Sequence, residues 1–151
     1  MLALVGFVGL SLLAGAVGGS LVAHSLHGWY AALTAPPGTP PNWAFGLVWS
    51  GLYVMMGLAA WLVWRRTGVG RSLRLWGWQL GVNALWTPAF FGLHSPPLAL
   101  AVVLVLLGLI AVTVRAFQRI QPVAAWLMLP YLAWTAFATY LTIGFWWLNP
   151  I

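Results

Sequence analysis

Five long apolar stretches, separated by short polar or proline-rich breaks, dominate the hydrophobic pattern of this chain. Each stretch is close to the roughly 20 residues that a helix needs to cross a bilayer. The apolar positions are continuous rather than alternating, which favours helices over the strands of a membrane barrel. The pattern therefore predicts five transmembrane helices, at about 1–23, 43–64, 73–93, 97–117 and 123–147.

The first segment has an alternative interpretation as a signal peptide, because Ala14, Gly15 and Ala16 resemble a cleavage site. The segment lacks the basic residues with which such a peptide begins. Ser11, Gly15 and Gly19 are spaced four apart, which suits the close approach of another helix. We therefore expect the segment to be retained as the first helix.

The composition supports a membrane protein, since 63% of the 151 residues are hydrophobic and only 4% are charged. A soluble domain carries about 25% charged residues, which this chain lacks. The fold class expected is an all-α membrane protein, with residues 1–151 forming a single five-helix domain. The chain contains no Asp, Glu or Cys, which excludes carboxylate acid–base catalysis, thiolate chemistry and carboxylate or cysteine metal sites.

The six basic residues are all arginines, and they flank only the second and fourth connections. Five helices place these two connections on one side of the membrane, which the positive-inside rule assigns to the cytoplasm. We expect a cytoplasmic N-terminus, an outer loop and C-terminus on the other side, and a bacterial inner membrane. The arginines do not form the solvated, aromatic-interleaved surface that is typical of nucleic-acid binding, so no nucleic-acid partner is expected.

Three of the twelve tryptophans lie too deep to belong to the interfacial aromatic belt, namely Trp49, Trp86 and Trp134. At about 100° per residue, Trp49 shares one stripe with Phe45 and Tyr53 of the second helix. A similar stripe of the fifth helix contains Trp134, Ala138 and Leu141. Such stripes are consistent with ordinary helix packing or with the walls of a ligand site.

The third predicted helix has two contrasting faces. Gln79, Asn83, Trp86 and Phe90 form a polar and aromatic face, and small residues form the opposite one. Buried amides are costly in lipid, so Gln79 and Asn83 must point into the bundle, where they bond either to the protein or to a ligand. The opposite face suits close helix contact within the chain or across a homodimer, and its residues are Gly77, Gly81 and Ala84.

The connection 24–42 is long and uncharged, and it contains two Pro-Pro pairs, at 36–37 and 40–41. Proline restricts its own backbone and that of the preceding residue, so the loop is stiffer than its length suggests. Its aromatic residues, including Tyr30, suit a lid over an apolar opening. The alternative is a plain connector. The three histidines lie near the outer side with no visible convergence, and no metal site is expected.

The chain resembles the TspO/MBR family, the tryptophan-rich sensory and translocator proteins. The matching stretches are WYAALTAPPGTPPNWAFGLVWSGLY, QLGVNALWTPAFFGLH and AAWLMLPYLAWTAFATYL. The resemblance implies a five-helix bundle, commonly dimeric, that requires no cofactor and binds porphyrins, sterol-like lipids and isoquinoline or benzodiazepine compounds. By position it implies six pocket residues, which are Tyr30, Trp49, Asn83, Trp134, Ala138 and Leu141. The remaining wall residues expected are Phe45, Tyr53, Gln79, Trp86 and Phe90.

Two features depart from the family pattern. The last helix ends LTIGFWWLN, without the Tyr and basic residue of the sterol-recognition motif, and the outer loop lacks the usual charges. The preferred hypothesis is a membrane binding protein for porphyrins and other flat hydrophobic ligands, with a sensory, regulatory or transport role. The alternatives are an enzyme that photo-oxidises bound porphyrin through Trp49 and Trp134, and a dimeric scaffold.

Overall fold

A computed structural model describes residues 1–149, so the last two residues of the expected domain lie outside the described range. Within that range the chain forms five α-helices. They are α1 (Leu2–Ser25), α2 (Asn42–Thr67), α3 (Arg71–Thr87), α4 (Pro96–Ile120) and α5 (Pro122–Leu148). The expected all-α membrane fold is confirmed, and α1, α2, α4 and α5 are each long and apolar enough to span a membrane.

The third span differs from its prediction, which was one continuous helix over 73–93. The α-helix ends at Thr87, and a π-helical turn continues it over Pro88–Gly92. Pro88 has no N–H to donate to the preceding turn, and the register relaxes so that Leu93 N donates to Pro88 O over 2.8 Å. The 17 residues of α3 reach only about 26 Å, so α3 needs this turn to approach the thickness of the hydrocarbon core.

The helices form a closed ring that does not follow the chain order. Each helix packs against two main neighbours, in the order α1, α2, α5, α4, α3 and back to α1. Two buried clusters fill the ring along its length. The larger cluster lies towards the arginine-bearing end and includes Met56, Ile110 and Met128. The smaller one lies towards the end that carries the proline-rich loop and includes Tyr30, Phe90 and Phe145.

α1 approaches α2 most closely at Gly57. A Cβ atom at this position would lie 2.5 Å from the Cα atom of Val8, which leaves no room for any side chain. Gly15, farther along α1, packs directly on the ring of Tyr53. The two helices are therefore held together backbone to backbone in the arginine-side half of the bundle, as is common where small residues meet in membranes.

Four buried side chains link α2, α3 and α5 through hydrogen bonds. The Tyr53 hydroxyl donates to Asn83 Oδ1 over 2.6 Å, and Asn83 Nδ2 donates to the Tyr131 hydroxyl over 2.8 Å. The Tyr131 hydroxyl in turn donates to Gln79 Oε1 over 2.7 Å. Both amides of α3 thus point into the bundle, as expected, and they are satisfied by tyrosines of two neighbouring helices. We call these four residues the tyrosine–amide network.

The connection between α1 and α2 packs against the C-terminal end of α5 and bonds to it. The Tyr140 hydroxyl donates to Pro37 O over 2.7 Å, and Pro36 packs against Gly144, where a Cβ would lie 2.5 Å from the proline Cβ. Asn149 forms a pair of bonds with the backbone of Thr34, at 2.8 and 2.9 Å. The loop is thereby fixed at three successive points, in keeping with its predicted stiffness.

The proposed dimer face of α3 lies on the outside of the bundle. Gly77 and Gly81 are exposed, and a Cβ at either position would meet open space, while Ala84 is half-buried. The two glycines therefore serve no packing role within the described part of the chain. Dimerisation through Gly77, Gly81 and Ala84 stays a prediction.

We expect Gly57→Ala to destabilise the protein by about 1–3 kcal/mol, because the added methyl group forces α1 away from α2. The measurement is the midpoint of thermal unfolding in detergent. The matched control is Gly51→Ala in the same helix, where a Cβ meets nothing within 4 Å. An unfolding midpoint for Gly57→Ala equal to that of Gly51→Ala would contradict the close packing.

We expect Tyr131→Phe to cost more stability than Tyr53→Phe. Tyr131 serves both amides, whereas Tyr53 serves only Asn83. Each buried polar group left without a partner costs about 1–3 kcal/mol. Thermal unfolding of the two single variants and of the double variant measures the difference, and equal losses from the two single substitutions would argue against a shared network.

Candidate functional site

A cavity of about 650 Å³ lies inside the helix ring, towards the end that carries the proline-rich loop. Its volume falls within the 300–1,000 Å³ that is usual for small-molecule sites. All five helices and the loop contribute to its wall, which is mainly aromatic and aliphatic.

Ten of the eleven residues expected to contact a ligand line this cavity. They are Tyr30, Phe45, Trp49, Tyr53, Asn83, Trp86, Phe90, Trp134, Ala138 and Leu141. The helical stripes predicted for α2, α3 and α5 therefore converge on one chamber. Their spacing of about 100° per residue determines the face of each helix, and the ring order turns those three faces towards each other.

Gln79 is the exception, and the expectation that it lines the ligand wall needs correction. It is completely buried, but it lies behind the cavity, where its oxygen accepts from Tyr131 and its nitrogen lies 3.9 Å from the sulfur of Met56. One helical turn separates it from Asn83, which does reach the cavity. Gln79 thus supports Asn83 through Tyr131 rather than facing a ligand.

Asn83 is engaged in the tyrosine–amide network on both sides of its amide group. An asparagine side chain has two N–H groups and two oxygen lone pairs, so one of each remains. The alternative interpretation of the amides, in which they bond within the protein, fits both side chains, but only Asn83 also lines the cavity.

Two buried polar atoms in cavity-lining residues have no hydrogen-bond partner in the described part of the chain. They are Trp86 Nε1 and Thr135 Oγ1, and both are buried. Thr113, Thr139 and Thr142 bond back to the preceding helical turn, whereas Thr135 does not. Buried polar groups are paired in most proteins, so these two mark where a ligand could bond. A third such atom, Trp76 Nε1, belongs to a residue outside the cavity wall.

The aromatic side chains of the wall form two groups. On one side Trp49 stacks on Tyr53 with ring centroids 5.5 Å apart. On the other, Trp86 stacks on Phe90 at 5.3 Å and 12°. Trp134 meets Phe45 edge to face at 6.5 Å, and so connects α5 with the first turn of α2. Flat indole faces in these positions suit contact with a flat apolar ligand.

Tyr30 lines the cavity at the end that carries the proline-rich loop. It lies in a single 3₁₀ turn of the loop, and its ring contacts Phe45 of α2, the π-turn residues Phe90 and Phe91, and Phe145 of α5, with centroids 5.3–6.5 Å apart. Burial raises the pKa of its phenol above the ordinary value of 10.0. The loop thus contributes an aromatic side chain to the cavity wall, and its role as a lid stays a prediction.

The wall formed by α1 is not predicted from the sequence. Small residues of this helix line the cavity, among them Gly15, Ala16, Gly18 and Gly19. The four-residue spacing of Gly15 and Gly19 predicts only a helix contact, although glycines can equally leave space beside a helix. Thr135 was also missed, because one threonine among several in an apolar helix has no distinguishing sequence signal.

Comparison with known proteins agrees with this architecture. The model of the TspO/MBR family matches residues 7–148. The bovine translocator protein is 37% identical over 153 residues, covering 97% of this chain and 90% of that protein. The tryptophan-rich sensory protein of Cereibacter sphaeroides is 43% identical over 111 residues, covering 74% and 70%. The tryptophan-rich protein TspO of Chlorobaculum tepidum is 35% identical over 147 residues, covering 95% and 93%.

The match spans nearly the whole helical bundle, from the first helix to the end of the fifth. It includes the loop, the deep tryptophans and the tyrosine–amide network. The chain belongs to the TspO/MBR family of integral membrane proteins.

Proposed function

We propose that the protein binds porphyrins and similar flat hydrophobic molecules within the membrane, and that this binding has a sensory or regulatory role. The observation that carries the proposal is the 650 Å³ cavity, in which three deep tryptophans from three different helices converge. Two relatives named for translocation and for sensing support a role of this kind.

A flat ring system would bind mainly by stacking on the aromatic side chains of the cavity wall. Trp49 and Trp86 belong to different helices and offer indole surfaces to the same chamber, while Trp134 borders it from α5. Stacking on such surfaces adds about 0.5–1.5 kcal/mol per aromatic pair beyond the burial of area. The apolar lining makes removal of the ligand from water favourable.

The polar groups of the ligand would bond to Trp86 Nε1 and Thr135 Oγ1, with the remaining capacity of Asn83 beside them. The first two atoms lack partners among the described residues, so a ligand bond to either costs no protein bond. This arrangement revises the expectation that Gln79 and Asn83 are the main polar anchors.

A light-dependent oxidation of the bound porphyrin is a second candidate. The observation in its favour is that Trp49 and Trp134, the two tryptophans that the family resemblance connects with this reaction, both line the cavity. Under this alternative, illumination of the porphyrin complex yields a new absorbing product, and Trp134→Phe abolishes it without abolishing binding.

The topology follows from the arginines, all of which lie at the end opposite the loop, in the last turns of α2 and α4 and the first turns of α3. We infer that this end faces the cytoplasm and that the loop faces outward, by the positive-inside rule. A cytoplasmic membrane such as the bacterial inner membrane fits that asymmetry.

Protoporphyrin IX added to the purified protein should quench tryptophan fluorescence saturably. We expect Trp49→Leu and Trp134→Leu each to weaken the affinity by roughly 2- to 10-fold, because each removes one stacking surface. The control is Trp147→Leu, since Trp147 is 83% exposed and remote from the cavity wall. Unsaturable quenching, or an equal loss of affinity in the control, would count against the proposal.

We expect Thr135→Val to weaken protoporphyrin affinity by about 2- to 10-fold while leaving the unfolding midpoint unchanged or higher. Valine keeps the shape of threonine, and the lost hydroxyl has no partner within the described residues. Thr139→Val is the matched control in the same helix, because its hydroxyl bonds to Thr135 O and the residue does not line the cavity. If Thr135→Val lowers stability and leaves affinity intact, the hydroxyl is structural.

A further inference from the structure

A second groove, of about 340 Å³, lies on the outside of the bundle at the arginine-bearing end. It runs between the beginning of α3 and the last turns of α4. Three of the six arginines line it, Arg71 from α3 and Arg115 and Arg119 from α4. The groove therefore gathers half of the positive charge of the side chains into one site formed by two helices that are distant in sequence.

The charge in this groove is not balanced by the protein. The chain contains no Asp or Glu, so its arginines have no side-chain carboxylate with which to pair. Arg71 and Ser72 also occupy the first turn of α3, where the helix dipole adds a partial positive charge and the free N–H groups point outward. Arg65, by contrast, lies over the ring of Trp61 at 4.7 Å, outside the groove.

The groove continues from its charged part onto an apolar surface. Leu75 lies one turn into α3, and Val112 lies two turns before the end of α4. At 1.5 Å per residue Val112 is about 12 Å from that end, which places it in the hydrocarbon region of the bilayer. One continuous groove thus combines guanidinium groups, which can extend towards the headgroups, with the aliphatic side chain of Val112 at acyl-chain depth.

We propose that this groove binds one anionic phospholipid, with its phosphate held by Arg71, Arg115 and Arg119 and an acyl chain along Leu75 and Val112. Guanidinium groups bind phosphate oxygens through paired, charge-assisted hydrogen bonds. The Ser72 hydroxyl can donate a further bond. A soluble acidic partner would reach the charged part but not the apolar part, which faces lipid.

The lipid groove is separate from the other surfaces of the protein. On α3, Arg71 and Leu75 lie about 120° around the helix axis from Gly77 and Gly81, so the predicted dimer face is centred away from the groove. It shares no lining residue with the porphyrin cavity. Binding at the groove therefore does not depend on the proposed porphyrin function.

Native mass spectrometry of the detergent-solubilised protein tests the proposal, with dioleoylphosphatidylglycerol titrated against dioleoylphosphatidylcholine. We expect one phosphatidylglycerol to be retained with at least tenfold preference, and Arg115→Gln/Arg119→Gln to reduce that preference by about tenfold or more. The matched control is Arg66→Gln/Arg74→Gln, which removes the same charge from exposed residues outside the groove.

The competing outcomes each overturn the assignment. Equal retention of the two lipids shows that the groove does not recognise an anionic headgroup. An equal loss in the control variant shows that only the net charge of the arginine-bearing end matters. Full displacement of the lipid by millimolar inorganic phosphate identifies a site for free anions instead. Retained protoporphyrin binding or an unchanged helical circular dichroism spectrum verifies that each variant is folded.

Discussion

The need to pair two buried amide side chains inside an almost uncharged bundle governs this structure. Lipid supplies no hydrogen bonds, so Gln79 and Asn83 can be buried only if neighbouring helices provide partners. Tyr53 and Tyr131 provide them, and the resulting network joins α2, α3 and α5 at one level. Because the network fixes the rotation of α3 about its axis, it also directs Trp86 and Phe90 towards the cavity.

The cavity exists because close packing is confined to part of the ring. Near Gly57 the backbones of α1 and α2 are in contact, whereas towards the loop end Ala16 and Gly19 of α1 border the cavity. The loop lies across the other end of the cavity and contacts the end of α5 through Pro36, Pro37 and Thr34. These contacts place Tyr30 in the aromatic wall. The closest contact between α1 and α2 thus lies in one half of the bundle, and the ligand cavity lies in the other half.

Three groups of polar side chains lie in separate parts of the protein. The network amides bond within the protein, the cavity retains Trp86 Nε1 and Thr135 Oγ1 without partners among residues 1–149, and the arginines gather at the opposite end. The two cavity atoms are neutral and have no partner among the described residues, and the arginines have no side-chain carboxylate to pair with because the chain contains no Asp or Glu. Both sets therefore point to ligands from outside, one apolar with a few polar groups and the other anionic.

The amino-acid sequence predicts the five helices, with ends within three residues of those observed apart from the π-helical turn at Pro88, and the faces that carry Trp49, Asn83 and Trp134. These properties depend on local periodicity and on the thickness of the bilayer. The ring order, the pairing of Gln79 with Tyr131 and the unpaired Thr135 Oγ1 become visible only in the folded protein, as does the meeting of Arg71 with Arg115 and Arg119. Those features join residues far apart in the chain, and helical spacing carries no information about which helices become neighbours.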